Sequence, residues 1–552
     1  MPPFKMRIML SSLAIWLSIF TLEAFSHMSL WEKKITAANR LLHHQINRPH
    51  IATTAEPNLG ESPFLNANSS RFAVNGSAIP DVHFNIGESY AGSLPISADA
   101  NETSNLFFWF FPTISPNATR VRDIVIWLNG GPGCSSLLGL IDEHGPLIWQ
   151  PGTFRPVRNN YSWHKLAHIV YIEQPVGTGF SRGDVTALSE EDIAAQFLGF
   201  WKNFVDTFKL HGFNVYITGE SYAGQYCPYF ASAMLDRNDT TYYNVTGMMI
   251  YDPLFASGYL QDFSVVPFAR HWSAVFAFND TFRASLDARA DACGYDSFLA
   301  KYFTFPPPGP FPLEDDLPGL SQDCEHIWPD ILDAASELNP CFNVYHVTDT
   351  CPFPWDVLGR PGMFAWMPSG AEIYFSRPEV QAAIHAPDDQ AWSACSWFPV
   401  FTNGDNSPPA SWGALPHVID ATKNVIISHG DRDYILFSNS TLLGIQNMTW
   451  GGAQGFQNKP TEPFFVPSDS FYDPTALAGS GVMGTVISER GLTYVGVTGA
   501  GHMVPEFAPG AAFRQLEFML GRVKCLNCKT VFTTDENPDA QSNQPMGNGT
   551  MP

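Results

Sequence analysis

Five stretches of this chain share one device. "DIVIWLNGGPG", "AHIVYIEQPVGTGFS", "FNVYITGESYAG", "KNVIISHGDRD" and "TYVGVTGAGHMVP" are each a short apolar run that stops abruptly at glycine. Within the runs, apolar and polar residues do not alternate, which is the pattern of strands buried on both faces. Before them, "VHFNI" alternates and "NLFFWFFP" reads as a buried aromatic strand. Helical patterns such as "EEDIAAQFLGFWKNFVDTF" lie between the runs. Strand–helix alternation predicts an α/β fold on a mostly parallel central sheet flanked by helices. In such sheets, sites form at the carboxyl ends of strands, where these glycine loops stand. At 552 residues and 45% hydrophobic, the chain has ample material for a large core.

The region from Ala256 to Phe375 breaks the rhythm. It holds the Pro-rich "FTFPPPGPFPLEDDLPG" and four cysteines, Cys293, Cys324, Cys341 and Cys351. A cross-linked segment that cannot continue the sheet is expected to be an inserted cap, 256–375, dividing a core of 72–255 and 376–524. At the N-terminus Lys5 and Arg7 precede an apolar run, Ile8 to Leu22, and then Ala24-Phe25-Ser26. That is a secretory signal over 1–26, short for a membrane anchor. Residues 27–71 turn polar and are expected to be a propeptide or N-terminal arm. Residues 525–552 read as a polar tail with no lipid-anchor signal.

Secretion brings sugars and disulfides. Sequons stand at Asn68, Asn75, Asn101, Asn117, Asn160, Asn238, Asn244, Asn279, Asn439, Asn447 and Asn548. An oxidising compartment makes most of the nine cysteines bridges and leaves at least one unpaired. Cys525 and Cys528 resemble half a zinc site, but no second pair accompanies them, so a local disulfide is the preferred reading and no metal is expected. With Lys plus Arg at 30 against 53 acidic residues, the formal net charge is −23. So acidic a surface argues against nucleic acid or anionic membrane as partners.

The hexapeptide "GESYAG" occurs twice, at Gly87–Gly92 and Gly219–Gly224. A nucleophile elbow needs a strand before its serine and a helix after it. The second copy follows "NVYIT" and precedes "QYCPYFASAMLDR", with Pro228 suited to a first helical turn. The first leads into "SLPISADANET", polar and then another strand. In α/β-hydrolases the oxyanion loop comes before the nucleophile, and "NGGPG" at Asn129–Gly133 precedes Ser221 but follows Ser89. Ser221 is therefore the expected nucleophile, and Ser89 a residue near the start of a core strand. A serine needs a histidine and a carboxylate, in the order Ser, Asp or Glu, His. "GDRD" offers Asp431 and Asp433, and "GAGHMVP" offers His502.

Taken in order, "WLNGGPGCSS", "YIEQPVGTGFS", "GESYAGQYCP", "HGDRD" and "GAGHMVP" resemble the serine carboxypeptidases, an α/β-hydrolase family. The match runs from about Phe72 to Val523. The resemblance implies Ser221 as nucleophile, His502 as general base and Asp433 orienting it, with Asp431 structural. It implies an oxyanion hole from the backbone N–H groups of Gly131 and Tyr222. Asn129, Gly130, Glu143 and Glu220 would bind the terminal carboxylate of the substrate, and Met503 would line the pocket of the released residue. Two close glutamates titrate upward, so in acid one stays protonated and can donate to that carboxylate. The resemblance also implies disulfides Cys134–Cys395, Cys293–Cys351 and Cys324–Cys341, with Cys227 free. There are two departures. Tyr251-Asp252 stands where the family usually has Gly-Asn, which leaves the neighbouring pocket open. Leu436 stands where some members have cysteine.

The expected activity is thus removal of C-terminal residues from peptides or proteins at acidic pH, through an acyl-enzyme and without cofactor. An acyltransferase or esterase on the same scaffold is the alternative; a non-catalytic binding protein would be expected to lack a triad member. The expected location is outside the cell, with vacuole or lysosome as the alternative. A homodimer stays open.

Overall fold

The computed structural model describes residues 62–534 apart from 117–119, 314–316, 318–321, 353, 360–369 and 469–478. The signal, most of the N-terminal arm, the end of the tail, and the sequons at Asn117 and Asn548 lie outside the described residues.

The strands of the main sheet begin with β1 (Ala73–Val74), β2 (Ser89–Pro95), β3 (Asn105–Phe111), β4 (Asp123–Leu128), β5 (His168–Glu173) and β6 (Asn214–Glu220). They continue with β7 (Val245–Tyr251), β8 (Val425–Gly430), β9 (Glu462–Val466), β10 (Gly481–Glu489) and β11 (Leu492–Val497). Among the described residues they run β1-β2-β3-β5-β4-β6-β7-β8-β11-β10-β9 across the sheet. Neighbours from β5 to β11 pair parallel, while both ends of the sheet are closed by antiparallel strands. This is the α/β-hydrolase architecture: a large mixed sheet with a parallel centre.

The missing alternation in the strand sequences has its cause here. In β4, Ile124, Ile126 and Leu128 face one apolar layer and Val125 and Trp127 the other. Helices α1 (Glu190–Phe208) and α2 (Ala223–Asp236) cover the first layer. Ser189 caps α1 by accepting from Asp192 N, and Glu190, Glu191 and Asp192 place negative charge in its first turn. Capping and dipole both favour a start at that point. The apolar stripe of α1, Phe197, Trp201, Phe204 and Phe208, is fully buried. Phe64 belongs to the same layer, its ring edge-on to Phe110 at 5.4 Å, so the core reaches into the segment expected to lie outside it. At the other end Leu526 and Phe532 are buried, so the polar tail begins later than its composition suggests.

The segment between β7 and residue 375 carries helices α3 (Asp262–His271), α4 (Asp280–Ala292), α5 (Tyr295–Tyr302) and α6 (Ile327–Leu338). It has its own apolar centre, built on Phe263, Phe298 and Ile331, which also takes in Tyr434, Phe437 and Leu443 from after β8. Its disulfides correct the expected pairing. Cys293 is joined to Cys324 and Cys341 to Cys351, not Cys293 to Cys351 and Cys324 to Cys341. The reason is α6. Its 12 residues stand between Cys324 and Cys341 and span about 18 Å, three times the reach of a disulfide. Cys341 instead meets Cys351 across a tight loop, where Asn339 and Asn343 donate to the Asp349 carbonyl and carboxylate. Cys134 is joined to Cys395, Cys525 to Cys528, and Cys227 is free and buried.

Candidate active site

The second GESYAG closes β6 and opens α2. Ser221 sits between them at φ 62°, a left-handed backbone that a serine adopts only under restraint. The restraint is a set of backbone bonds: Ser221 N donates to the Tyr251 carbonyl, and its own carbonyl accepts from Gly224 N and Leu254 N. The first copy is different. Ser89 begins β2 and pairs with Val74 at the end of the sheet, with no helix following it.

The Asn129–Gly133 loop leaves β4 beside the elbow. A Cβ on Gly130 would stand 2.4 Å from Tyr222 N and 2.9 Å from Ser221 Cβ, so only glycine lets the two loops approach this closely. Gly131, the next residue of the loop, lines the same cleft as Ser221. The Cys134–Cys395 bridge ties the loop to the 392–401 segment, where Ser135 N also donates to Ala394 O.

His502 follows β11 and Asp433 follows β8. They are 69 residues apart in the chain, and His502 Nδ1 lies 2.7 Å from Asp433 Oδ2. Both are buried. The other oxygen of Asp433 accepts from Ile435 N and Leu436 N. Burial opposes a charge on His502, but the Asp433 carboxylate and its hydrogen bond, with Glu220 nearby, raise the imidazole above its ordinary pKa. Asp431 is turned away and accepts from Gly499 N.

Glu220 ends β6, and its Oε1 accepts from Asn129 Nδ2 at 2.6 Å. The Asn129 carbonyl oxygen accepts from Trp127 Nε1 and Gly139 N, which fixes the amide with its nitrogen toward Glu220. Glu143 lies in a single π-helical turn, Gly139–His144, and is buried; such turns are frequent at functional sites.

Asn129, Gly130, Gly131, Glu143, Glu220, Ser221, His502 and Met503 line one cleft of about 390 Å³. Tyr222 and Asp433 are not among its lining residues. Leu138, Tyr345 and Ile435 also line it and were not identified from sequence, and the Cys134–Cys395 bridge, which the resemblance implied, lines it too. Tyr345 comes from the 256–375 segment. Its carbonyl accepts from His502 N at 2.7 Å and its ring lies 5.3 Å from the imidazole. No strand or helix period marks that stretch, so sequence carried no signal for it. Leu436 is buried outside this lining.

Asp252, Asp433 and His502 each present one atom within 4.8 Å of the others, a spacing that would suit a metal ion. The Asp433–His502 hydrogen bond already occupies that contact. Of the sequons, Asn68, Asn75, Asn101, Asn160, Asn238, Asn279 and Asn439 are exposed. Asn244 and Asn447 are half-buried, and their amides bond to Asn214 and to Phe311 N. No helix among the described residues is long and apolar enough to cross a membrane.

A family model described as serine carboxypeptidase matches residues 80–521. A probable serine carboxypeptidase of Arthroderma benhamiae is 49% identical over 475 residues, covering 84% of this chain and 88% of that one. Serine-type carboxypeptidase F of Aspergillus niger is 42% identical over 479 residues, covering 83% and 88%. The crystal structure of a prohormone-processing carboxypeptidase from Saccharomyces cerevisiae superposes with a TM-score of 0.66 at 25% identity, covering 82% and 96%.

Proposed function

Since the chain belongs to the serine carboxypeptidase family and is a serine-type carboxypeptidase, we propose that Ser221, His502 and Asp433 cleave the C-terminal peptide bond in acid through an acyl-enzyme. The observation that carries this reading is the Asn129–Glu220 pair, with Glu143, in the same cleft as Ser221 and His502. A nucleophile alone suits any acyl transfer; an amide and two carboxyls beside it suit a substrate that ends in a carboxylate.

His502, its Nδ1 proton held by Asp433, takes the Ser221 proton on Nε2 as the serine attacks the scissile carbonyl. The Gly131 and Tyr222 N–H groups receive the oxyanion, a donor of this kind being worth roughly 3 kcal/mol. His502 then protonates the leaving amine, the released residue departs past Met503, and water hydrolyses the ester by the reverse route. Asn129 Nδ2, the Gly130 backbone and a protonated glutamate hold the terminal carboxylate. Once both glutamates ionise, that site repels its ligand, which confines peptide cleavage to acid. Residues 256–375 act as a cap, placing Tyr345 over the triad. The leader directs the chain into the secretory pathway, with secretion as the destination and vacuole or lysosome as the alternative; its partners there are peptide or protein C-termini.

The test is time-resolved mass spectrometry of blocked peptides with free or amidated C-termini, at about pH 4.5 and about pH 7.5, beside Ser221→Ala. Stepwise C-terminal loss in acid, absent for the amide and the variant, supports the reading. Loss of ester or acyl-transfer substrates alone would overturn the roles of Asn129, Glu143 and Glu220.

A further inference from the structure

Asp252 lies one residue past β7, between the triad and the core, with none of its surface exposed. Its backbone is pinned: Asp252 N donates to Ser428 O, and the residue sits at φ 42°. Its Oδ1 accepts from Gly430 N at 3.0 Å and lies 3.2 Å from His429 Nε2. Its Oδ2 is buried with no hydrogen-bond donor in reach. Asp433 and His502 are also close, all three offering atoms within 4.8 Å of one another.

Two adjacent carboxylates in a dry site cannot both keep their charge at low cost. Asp433 already faces donors with both oxygens, His502 on one and two backbone N–H groups on the other. Asp252 has donors on Oδ1 only, so the proton that relieves the pair belongs on Oδ2. We infer that Asp252 and Asp433 share one proton, carried by Asp252 Oδ2 and donated to Asp433, and that Asp252 is thereby a positioning residue that holds the carboxylate orienting His502. The inference rests on the triad proposed above.

The other groups around Asp252 agree with this placement. Burial, then Asp433 and Glu220, push Asp252 well above the usual carboxyl range, with the Gly430 N–H opposing. His429, which faces both acids from β8, is held down to about 4 by burial, against the pull of Asp433. It is therefore neutral, receives the Thr441 hydroxyl on Nδ1 and turns its Nε2–H toward the Leu436 carbonyl and Asp252 Oδ1. Tyr251, raised by burial and by Glu143 and Asp252, and Tyr494, raised by burial and by Asp252 and Asp431, stay neutral too. His502, protonated during the reaction, is then the cation that Asp433 stabilises. With its proton, Asp252 adds a donor and no charge. Without it, Asp433 loses a hydrogen bond and gains a repelling neighbour.

The test uses the full-length enzyme and three variants, Asp252→Asn, Asp252→Leu and Asp433→Asn, with kcat and KM measured against pH on a free-acid peptide. Asn keeps the donor at every pH; Leu keeps the branched shape, with more bulk, and removes the donor. Asp252→Leu should lose kcat about 100-fold with KM little changed, the scale of a misplaced catalytic group. Asp252→Asn should restore most of that loss in acid, and its activity relative to wild type should rise with pH, as wild-type Asp252 gives up its proton. Titration of the glutamates is common to both proteins and cancels in that ratio. Should Asp252→Leu fail to fold, infrared difference spectra of wild type minus Asp252→Asn near neutral pH decide: a protonated carboxyl band in wild type alone supports the inference, and its absence overturns it. A flat activity ratio, or full activity in Asp252→Leu while Asp433→Asn is inactive, overturns the inference and leaves the triad intact. An active Asp433→Asn overturns the triad reading itself.

Discussion

Replacing Glu173 by glutamine should remove a large part of the pH dependence of stability. Glu173 ends β5 inside the "YIEQPVGTGFS" motif and is completely buried. Ser135 Oγ and Trp392 Nε1 donate to one of its oxygens and Phe180 N to the other. The carboxyl thus joins the loop before the elbow to the segment carrying Cys395. Burial outweighs these donors and lifts Glu173 from 4.5 to about 7. Between those values the folded state binds the proton more tightly than the unfolded one, so stability falls as pH rises from about 4.5 to about 7 and levels off above. At about 1.4 kcal/mol per unit, a shift of about 2.5 units is worth about 3 kcal/mol, a substantial share of a typical domain's stability. The glutamine variant has its own constant offset from misplaced amide hydrogens, but no titration. Denaturant unfolding followed by tryptophan fluorescence at about pH 4, 5.5 and 8 measures the difference between the two proteins. Wild type should lose about 3 kcal/mol relative to the variant across that range. Parallel curves would refute the reasoning, and so would a wild type that gains stability with pH.

Three further expectations test the cleft and the insertion. Gly130→Ala places a methyl against Tyr222 N and Glu220 O, at 2.4 and 2.7 Å; it should cut kcat by about 100-fold in steady-state assays. Asn129→Ala removes a donor to the substrate carboxylate, so kcat/KM on free-acid peptides should drop roughly 30-fold, about 2 kcal/mol, with less effect on small ester substrates that lack a free carboxylate. Non-reducing peptide mapping should recover Cys293 with Cys324 and Cys341 with Cys351; recovery of the nested pairs would contradict the position of α6.

What the sequence determined by itself is what neighbouring residues enforce. Five apolar runs ending at glycine declare buried strands whose ends carry loops, and the helix after Ser221, absent after Ser89, separates the two copies of GESYAG. These signals act within a dozen residues, through backbone sterics and burial on both sheet faces. The rest is set by packing between segments far apart in the chain. Asp433 rather than Asp431 meets His502 because the turn after β8 points one aspartate inward and ties the other to Gly499. The cysteines of the insertion pair locally because a rigid helix stands between two of them. Tyr345 reaches the cleft from a stretch with no periodic pattern, and Phe64 joins the core from a polar segment. Asp252 was visible only as an unusual residue after a strand; its contact with Asp433 and His429 exists because β7 and β8 lie side by side, although 173 residues of chain lie between them.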